Sequence, residues 1–485
     1  MDKDAADSER LGDALRRLAP ALEQFNRFEG PDQSALNKDR WLPHLDTALP
    51  EQGEGLDAVV DALTTWAVPN GLRMGAPGFS GWITSQPTTS GAVAALAQSV
   101  AGSQRFFFHL FNVLEAVGLW WVAQMLGIPP DLQGVFTSGG SVASIVGLDA
   151  ARQRAFERLG VDSAATGVPG QYECAIYASS EVHHVNSRAA AVLGLGRDSV
   201  VAIDCDDQQR IDLAALTAAL DRRARDGIVP IAIIATAGTV NTGAVDPIPE
   251  MAAIAAERNI WFHVDGAYGL FARLDDRVAH LFDGMDRADS LAVDPHKWMA
   301  TPMGCGIAYV RDAELLYRTF TLEPAAYLEG AVLDTTEEVK SPWDVFAGEH
   351  HHLSVEQSAP PRGVQVWAVL KEIGVEGLRA RVRRHLDYAR RVAEKVRADD
   401  RLQLLSEPTL SICCFRYFRE GLEDVRLDAM NDEILRRLHR ETGFIPSATQ
   451  VDGRFGIRPC FIIPRTTQAE VDGLVDAVVE IGSNL

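Results

Sequence analysis

Between about residues 71 and 310 the chain alternates short apolar runs with longer stretches of helical spacing. The runs are "GVFTS", "CAIYAS", "VVAIDC", "PIAIIATAG", "IWFHVDGAYG", "SLAVD" and "GIAYV". They are rich in Val, Ile and Ala and short enough to be strands buried on both faces. Segments such as 211–226 and 247–258 between them carry an apolar stripe at helical period. This alternation predicts an α/β domain on a mostly parallel sheet. In such sheets ligands gather at the carboxyl ends of the strands.

The flanks read differently. Residues 8 to about 70 show helical spacing at Leu11, Leu15 and Leu18 and again at Leu56, Val59, Val60 and Leu63, interrupted by proline and glycine. That predicts an N-terminal helical segment, 1–70, resting on something larger. Residues 320–362 are polar and aperiodic, which predicts a long loop of the kind that forms lids. Beyond it a helix over 364–398, short runs "LQLLS" and "LSICCFRYF", and helices over 426–440 and 468–482 predict a small α+β C-terminal domain. The expected organisation is 1–70, then a large domain 71–362, then a small domain 363–485.

Composition narrows the function classes. The 485 residues are 47% hydrophobic and 23% charged, enough for a large core in an ordinary globular chain. A net charge of -21 argues against nucleic acid or an anionic membrane surface as partner. The acidic N-terminus lacks the basic and apolar regions of a signal peptide, and no apolar run reaches spanning length, so a cytoplasmic protein is expected. Cysteines 174, 205, 305, 413, 414 and 460 lack paired or metal-ligand spacing and read as reduced thiols. His350, His351 and His352 lie in a polar loop and read as solvated, and no metal is expected.

The chemistry collects where apolar runs stop. "TSGGSVAS" passes from a strand into a helix through Ser138, Gly139, Gly140 and Ser141, small enough to let backbone N–H groups approach a phosphate, or simply to cap the helix. "SSEVHHVNS" places His183 just beyond "CAIYA", and Thr236 ends "IIAT". "WFHVDGAYG" ends a strand at Asp265 before Gly266 and Ala267; this aspartate either meets a cationic partner or caps the next turn. "LAVDPHKWMA" sets Asp294, His296 and Lys297 against Trp298 and Met299. An apolar flank pushes a lysine toward its nucleophilic neutral amine, although most lysines simply lift the charge into water.

Taken together, a small-residue turn, histidine, threonine, aspartate and lysine at the strand ends of one domain match the needs of pyridoxal 5'-phosphate. This cofactor requires a phosphate cup, an anion for its ring nitrogen and an amine for its aldehyde. In that reading Asp265 holds the ring proton, His183 covers the ring face and Lys297 takes the aldehyde.

"DPHKW", "HVDGAYG", "SSEVHHVNSRAAAVLGLG", "TSGGSVAS", "TAGT" and "RPCFIIPRTTQAEVD" together resemble the group II pyridoxal-phosphate-dependent decarboxylases, from about Pro77 to the C-terminus. The resemblance implies the aspartate-aminotransferase-like fold (type I), a homodimer with the active site at its interface, and decarboxylation of an L-amino acid. It implies Schiff-base chemistry at Lys297 and cofactor contacts from Ser138, Gly139, Gly140, Ser141, His183, Thr236, Asp265, Ala267, Asp294 and His296. "PGFSGWITS" resembles the pocket strand, with Trp82, Ile83 and Ser85 as walls, and "QRFFFHLF" supplies Phe107 from the other subunit. These walls favour an aromatic substrate, the alternative being that the aromatics are core.

The resemblance also exposes a departure. Counting back from Trp367 of "RGVQVW", the family's lid tyrosine falls near His350 and His351, and no tyrosine occurs between Tyr327 and Tyr388. His351 becomes the candidate proton donor. An aldehyde synthase or a carbon–carbon lyase on the same scaffold stays open, and more remotely a non-catalytic cofactor-binding protein.

Overall fold

The computed structural model of the chain describes residues 10–29, 38–45, 49–102, 104–105, 110–321 and 350–485. Its strands are β1 (Phe79–Ser80), β2 (Gln133–Thr137), β3 (Cys174–Ser179), β4 (Val200–Ile203), β5 (Val229–Thr236), β6 (Trp261–Asp265), β7 (Ser290–Val293), β8 (Gly306–Val310), β9 (Leu402–Ser406), β10 (Cys414–Tyr417), β11 (Ile445–Val451) and β12 (Arg454–Arg458). They form a seven-stranded sheet in the order β2-β8-β7-β6-β5-β3-β4 and a five-stranded sheet in the order β1-β11-β12-β10-β9.

The large sheet explains the continuous apolar runs. Side chains alternate across a strand, so a strand covered on both faces needs apolar residues at every position. Phe262 and Val264 of β6, Ile233 and Ala235 of β5, and Leu291 and Val293 of β7 enter one core. Trp261, Ala232, Ile234 and Ala292, one residue out of phase, enter a second core with Val146, Leu148 and Ala151 of the helix Gly140–Glu157. Asp265 and Thr236 continue this second phase, so both side chains emerge on the face that this helix covers, at the carboxyl ends of their strands.

Neighbours from β4 to β7 pair in parallel. Strand β8 runs antiparallel between β7 and β2. An apolar run carries no direction, so "GIAYV" could not show this reversal. The fold is thus α/β with a largely parallel main sheet, as expected.

Three local outcomes differ from the sequence reading. Phe79–Ser80, inside the expected large-domain range, pairs in parallel with Ile445–Pro446 in the small sheet. The small sheet also contains the hairpin β11–β12, which the sequence reading passed over. Its turn signal is present: Asp452 and Gly453 both adopt positive φ (50° and 75°), the Asp-Gly pairing that a tight hairpin favours. The expected closing strand in "RPCFIIPRTTQAEVD" ends at Arg458, with only a bridge between Ile412 and Cys460 beyond it, while the helix follows over Gln468–Ser483. The helix Gly363–Arg397 kinks at Gly374 (φ 64°). The segment 322–349, most of the expected lid, and Phe107 lie outside the described residues. No described helix is long and apolar enough to cross a membrane, and all six cysteines are free.

Candidate active site

A cavity of about 510 Å³ opens at the carboxyl ends of β5, β6 and β7 and is closed from the far side by β11 and β12. Its floor is built by strand register. Thr236 and Asp265 are cross-strand partners, so neighbouring parallel strands deliver them side by side. The Thr236 amide donates to the Asp246 carboxylate at 2.8 Å, which holds the end of β5, while the Thr236 hydroxyl has no hydrogen-bond partner among the described residues. The Asp265 carboxylate accepts from the Ala267 amide (3.3 Å) and the Asn186 side-chain amide (3.4 Å). Both contacts are long, so this buried anion retains capacity for a donor from within the cavity.

The helix Gly140–Glu157 points its N-terminus at the same space. Gly139 adopts φ +139°, a conformation L side chains avoid, and a Cβ on it would lie 3.1 Å from His296 Cε1. A Cβ on Gly140 would lie 2.8 Å from Asp294 Oδ2 and 3.1 Å from Ala267 Cβ. The small residues therefore keep a concavity open at a helix end whose unpaired N–H groups attract an anion.

The turn after β7 carries the lysine. Trp298, Met299 and Ala300 are fully buried, while Lys297 reaches into the cavity and pairs with Asp294 Oδ2 at 3.0 Å. The apolar flank thus fixes the turn, and the lysine itself meets a carboxylate rather than an apolar wall. His296 donates its Nδ1–H to the Cys305 carbonyl at 2.8 Å, and burial lowers its pKa. Burial and the neighbouring His184 likewise lower the pKa of His183, leaving a neutral ring at the cavity wall.

The structure brings together Ser138, Gly139, Gly140, Ser141, His183, Thr236, Asp265, Ala267, Asp294, His296, Lys297, Trp82 and Ile83 around this one cavity. Two expected residues do not line it. Ser85 is buried beyond the wall and its hydroxyl faces the Gln86 carbonyl at 3.3 Å, because the chain after Ile83 turns away toward the helix Thr89–Ala101. His351 is buried in the short turn His350–His352, so it is neither solvated, as its polar surroundings suggested, nor within the cavity lining of its own chain.

Sequence reasoning missed Arg458. It is 2% exposed, lines the cavity and donates to the carbonyls of Trp82 (2.8 Å) and Val240. No carboxylate partner is seen for it among the described residues, and its Nε is unsatisfied. The available signal was an arginine inside the apolar "FGIRPCFII", since a buried guanidinium needs an anion or acceptors.

These residues fit pyridoxal 5'-phosphate. A glycine-lined helix end suits the phosphate, the under-satisfied Asp265 suits a ring N–H, the orphaned Thr236 hydroxyl offers a donor beside it, and Lys297 offers the amine.

Comparison with known proteins agrees. The family model described as the pyridoxal-dependent decarboxylase conserved domain matches residues 42–418. An aromatic-L-amino-acid decarboxylase of Bacillus atrophaeus is 30% identical over 74% of this chain and 70% of its own length. Tryptophan decarboxylase 1 of Oryza sativa is 30% identical over 85% of this chain and 80% of its own. Among solved structures, Oryza sativa TDC with PLP and tryptamine superimposes with a TM-score of 0.85 at 25% identity, covering 98% of each chain. With the family model spanning most of the sequence and the lysine, aspartate and glycine turn around one cavity, the chain belongs to the pyridoxal-dependent decarboxylase family.

Proposed function

We propose that this chain decarboxylates an aromatic L-amino acid in the cavity around Lys297. Bound pyridoxal phosphate supplies an aldehyde for the substrate's amino group and a ring that accepts the electron pair left as CO2 departs. The chain's own residues bind and orient. Asp265 would hold the proton on the ring nitrogen, His183 would pack against the ring, and Lys297 would provide the amine for the aldehyde. Arg458 carries the reading furthest: a buried cation without a described acid partner is suited to the substrate's carboxylate, and would fix the orientation of the bond to be broken. Lys297, an amine lining the cavity, is the group we assign to return a proton to the substrate carbon. His351 would need to reach the cavity from a second copy.

The aromatic preference rests on Trp82 and Ile83 in the wall and on the relatives that act on tryptophan. Trp82 is 58% exposed in the single chain, which supports a homodimer that covers the cavity mouth. The acidic net charge of -21 is the feature on which a cytoplasmic location is proposed.

A second reading, an aldehyde synthase, is favoured by two observations. No tyrosine lies between Tyr327 and Tyr388, and 4-hydroxyphenylacetaldehyde synthase of Rhodiola rosea is 25% identical over 90% of this chain. Incubating the holoenzyme with L-tryptophan, L-tyrosine, L-phenylalanine, L-glutamate and L-2,4-diaminobutyrate while measuring CO2, amine, aldehyde and peroxide separates the two. Amine matching CO2 on an aromatic substrate is expected. Aldehyde with peroxide and no amine would replace that reading, and turnover of glutamate alone would overturn the aromatic preference.

A further inference from the structure

The anion end of the cavity already contains a carboxylate. Asp294 is 1% exposed, and its Oδ2 lies 3.0 Å from Lys297 Nζ and 3.7 Å from His296 Nε2. A Cβ on Gly140 would approach Oδ2 to 2.8 Å, and one on Gly306 would approach Oδ1 to 2.7 Å, so the carboxylate is wedged between the first residue of the helix Gly140–Glu157 and the first residue of β8. Oδ1 has no hydrogen-bond partner among the described residues. A phosphate seated at this helix end meets a buried carboxylate at close range.

The charges around Asp294 do not offset a second anion. From its own turn it faces Lys297 and His296. From the approach to β8 it faces Cys305, a thiol pushed up to about 12 by burial and therefore neutral. Asp265 on β6, His183 and Arg458 on β12 border the same cavity, Arg458 donating to the Trp82 and Val240 carbonyls, and the helix contributes only its N-terminal dipole. Condensation of Lys297 with an aldehyde expels water and leaves the net charge of the site unchanged, so it compensates nothing. His296 is the group able to respond. The Cys305 carbonyl can only accept, so Nδ1 carries the hydrogen, and the free lone pair on Nε2 faces Asp294.

We propose that the Asp294–His296 pair takes up one proton from solvent when the phosphate-bearing cofactor binds, which makes cofactor affinity depend on pH through Asp294. This rests on the cavity being the pyridoxal-phosphate site. An imidazolium at His296, whose Nε2 lies 3.7 Å from the Asp294 carboxylate, would offset the repulsion between that carboxylate and a phosphate. Asp294 is then a positioning residue that acts through His296.

The experiment titrates pyridoxal phosphate into the full-length apoprotein by calorimetry, in two buffers of different ionisation enthalpy, from pH 6.5 to 8.5. Wild type, Asp294→Asn and His296→Gln are compared, with circular dichroism confirming that each is folded. Wild type should take up close to one proton more than either variant. Its dissociation constant should rise relative to that of Asp294→Asn by up to tenfold per pH unit above neutrality, because one linked proton sets that slope. Equal proton uptake and parallel pH curves in all three proteins would overturn the proposal while leaving the cofactor site intact. Failure of wild type and variants alike to bind the cofactor would instead overturn the site reading on which it rests.

Discussion

Trp298, the residue after Lys297, donates its indole N–H to Nδ1 of His385 at 3.0 Å. His385 in turn donates Nε2–H to the Ile463 carbonyl at 3.1 Å, and burial keeps its imidazole neutral, as both bonds require. On the other side Tyr268 stacks on Trp298 with ring centres 5.4 Å apart and planes 10° apart, and the Tyr268 hydroxyl meets Ser411 Oγ at 2.6 Å. The lysine turn is thus clamped to the long helix and the C-terminal region, which fixes the backbone that carries Lys297.

Trp298→Phe should leave His385 Nδ1 unsatisfied and open a void, at a cost of about 2–4 kcal/mol. Urea denaturation reads the loss. The freed turn should also weaken cofactor retention, seen as faster decay of its visible absorbance on dialysis. Unchanged retention in a destabilised variant would show that the clamp serves stability alone.

Gly140→Ala places a methyl within 2.8 Å of Asp294 Oδ2 and into the anion concavity. Pyridoxal-phosphate affinity should fall about tenfold or more, corresponding to about 1.4 kcal/mol or above, and the apoprotein itself should lose about 1–3 kcal/mol of stability, because the methyl displaces the wedged Asp294 carboxylate. Fluorescence titration of the apoprotein provides the measurement.

Arg458→Lys keeps a positive charge but loses the planar fork that spans the Trp82 and Val240 carbonyls. A loss of about ten- to a hundredfold in kcat/KM is expected, with cofactor absorbance retained. Wild-type kinetics in this variant would remove Arg458 from the substrate site.

Glu115 is fully buried, and burial raises its pKa to about 7 against the attraction of Arg105 and a bond from the Gly363 amide. The native state therefore binds a proton that the unfolded chain, at the ordinary carboxyl value, has released. This contribution is fully present below about pH 4.5 and is lost as pH rises toward 7. His263, lowered to about 4 by burial, acts oppositely: its contribution is present above the ordinary histidine value and is lost as pH falls toward 4. The stability of Glu115→Gln minus that of wild type should increase between pH 4.5 and 7 and then level off, by on the order of 1–3 kcal/mol. A flat difference across that range would mean Glu115 is charged throughout.

Much of the cavity at the strand ends could be read from one dimension, because its parts are local. A strand that ends in Asp265, its neighbour that ends in Thr236, and the Ser138–Ser141 turn into a helix each announce themselves by a change of period or of residue size. The apolar flank marked the lysine turn, yet it could not show that Lys297 meets Asp294 rather than a greasy wall. His351 misled because a polar stretch of sequence says nothing of what folds over it.

By itself, the sequence determined the α/β alternation, the strand ends that carry Lys297, Asp265 and Thr236, and the small-residue helix entry, since period and side-chain size act over a few residues. Tertiary structure decided the rest: the reversal of β8, the capture of Phe79–Ser80 by the C-terminal sheet, the arrival of Arg458 in the cavity, and the pressing of Asp294 against Gly140 and Gly306. These depend on which distant segments pack together, and that is settled by burial and hydrogen-bond satisfaction across the whole molecule, not by any local pattern.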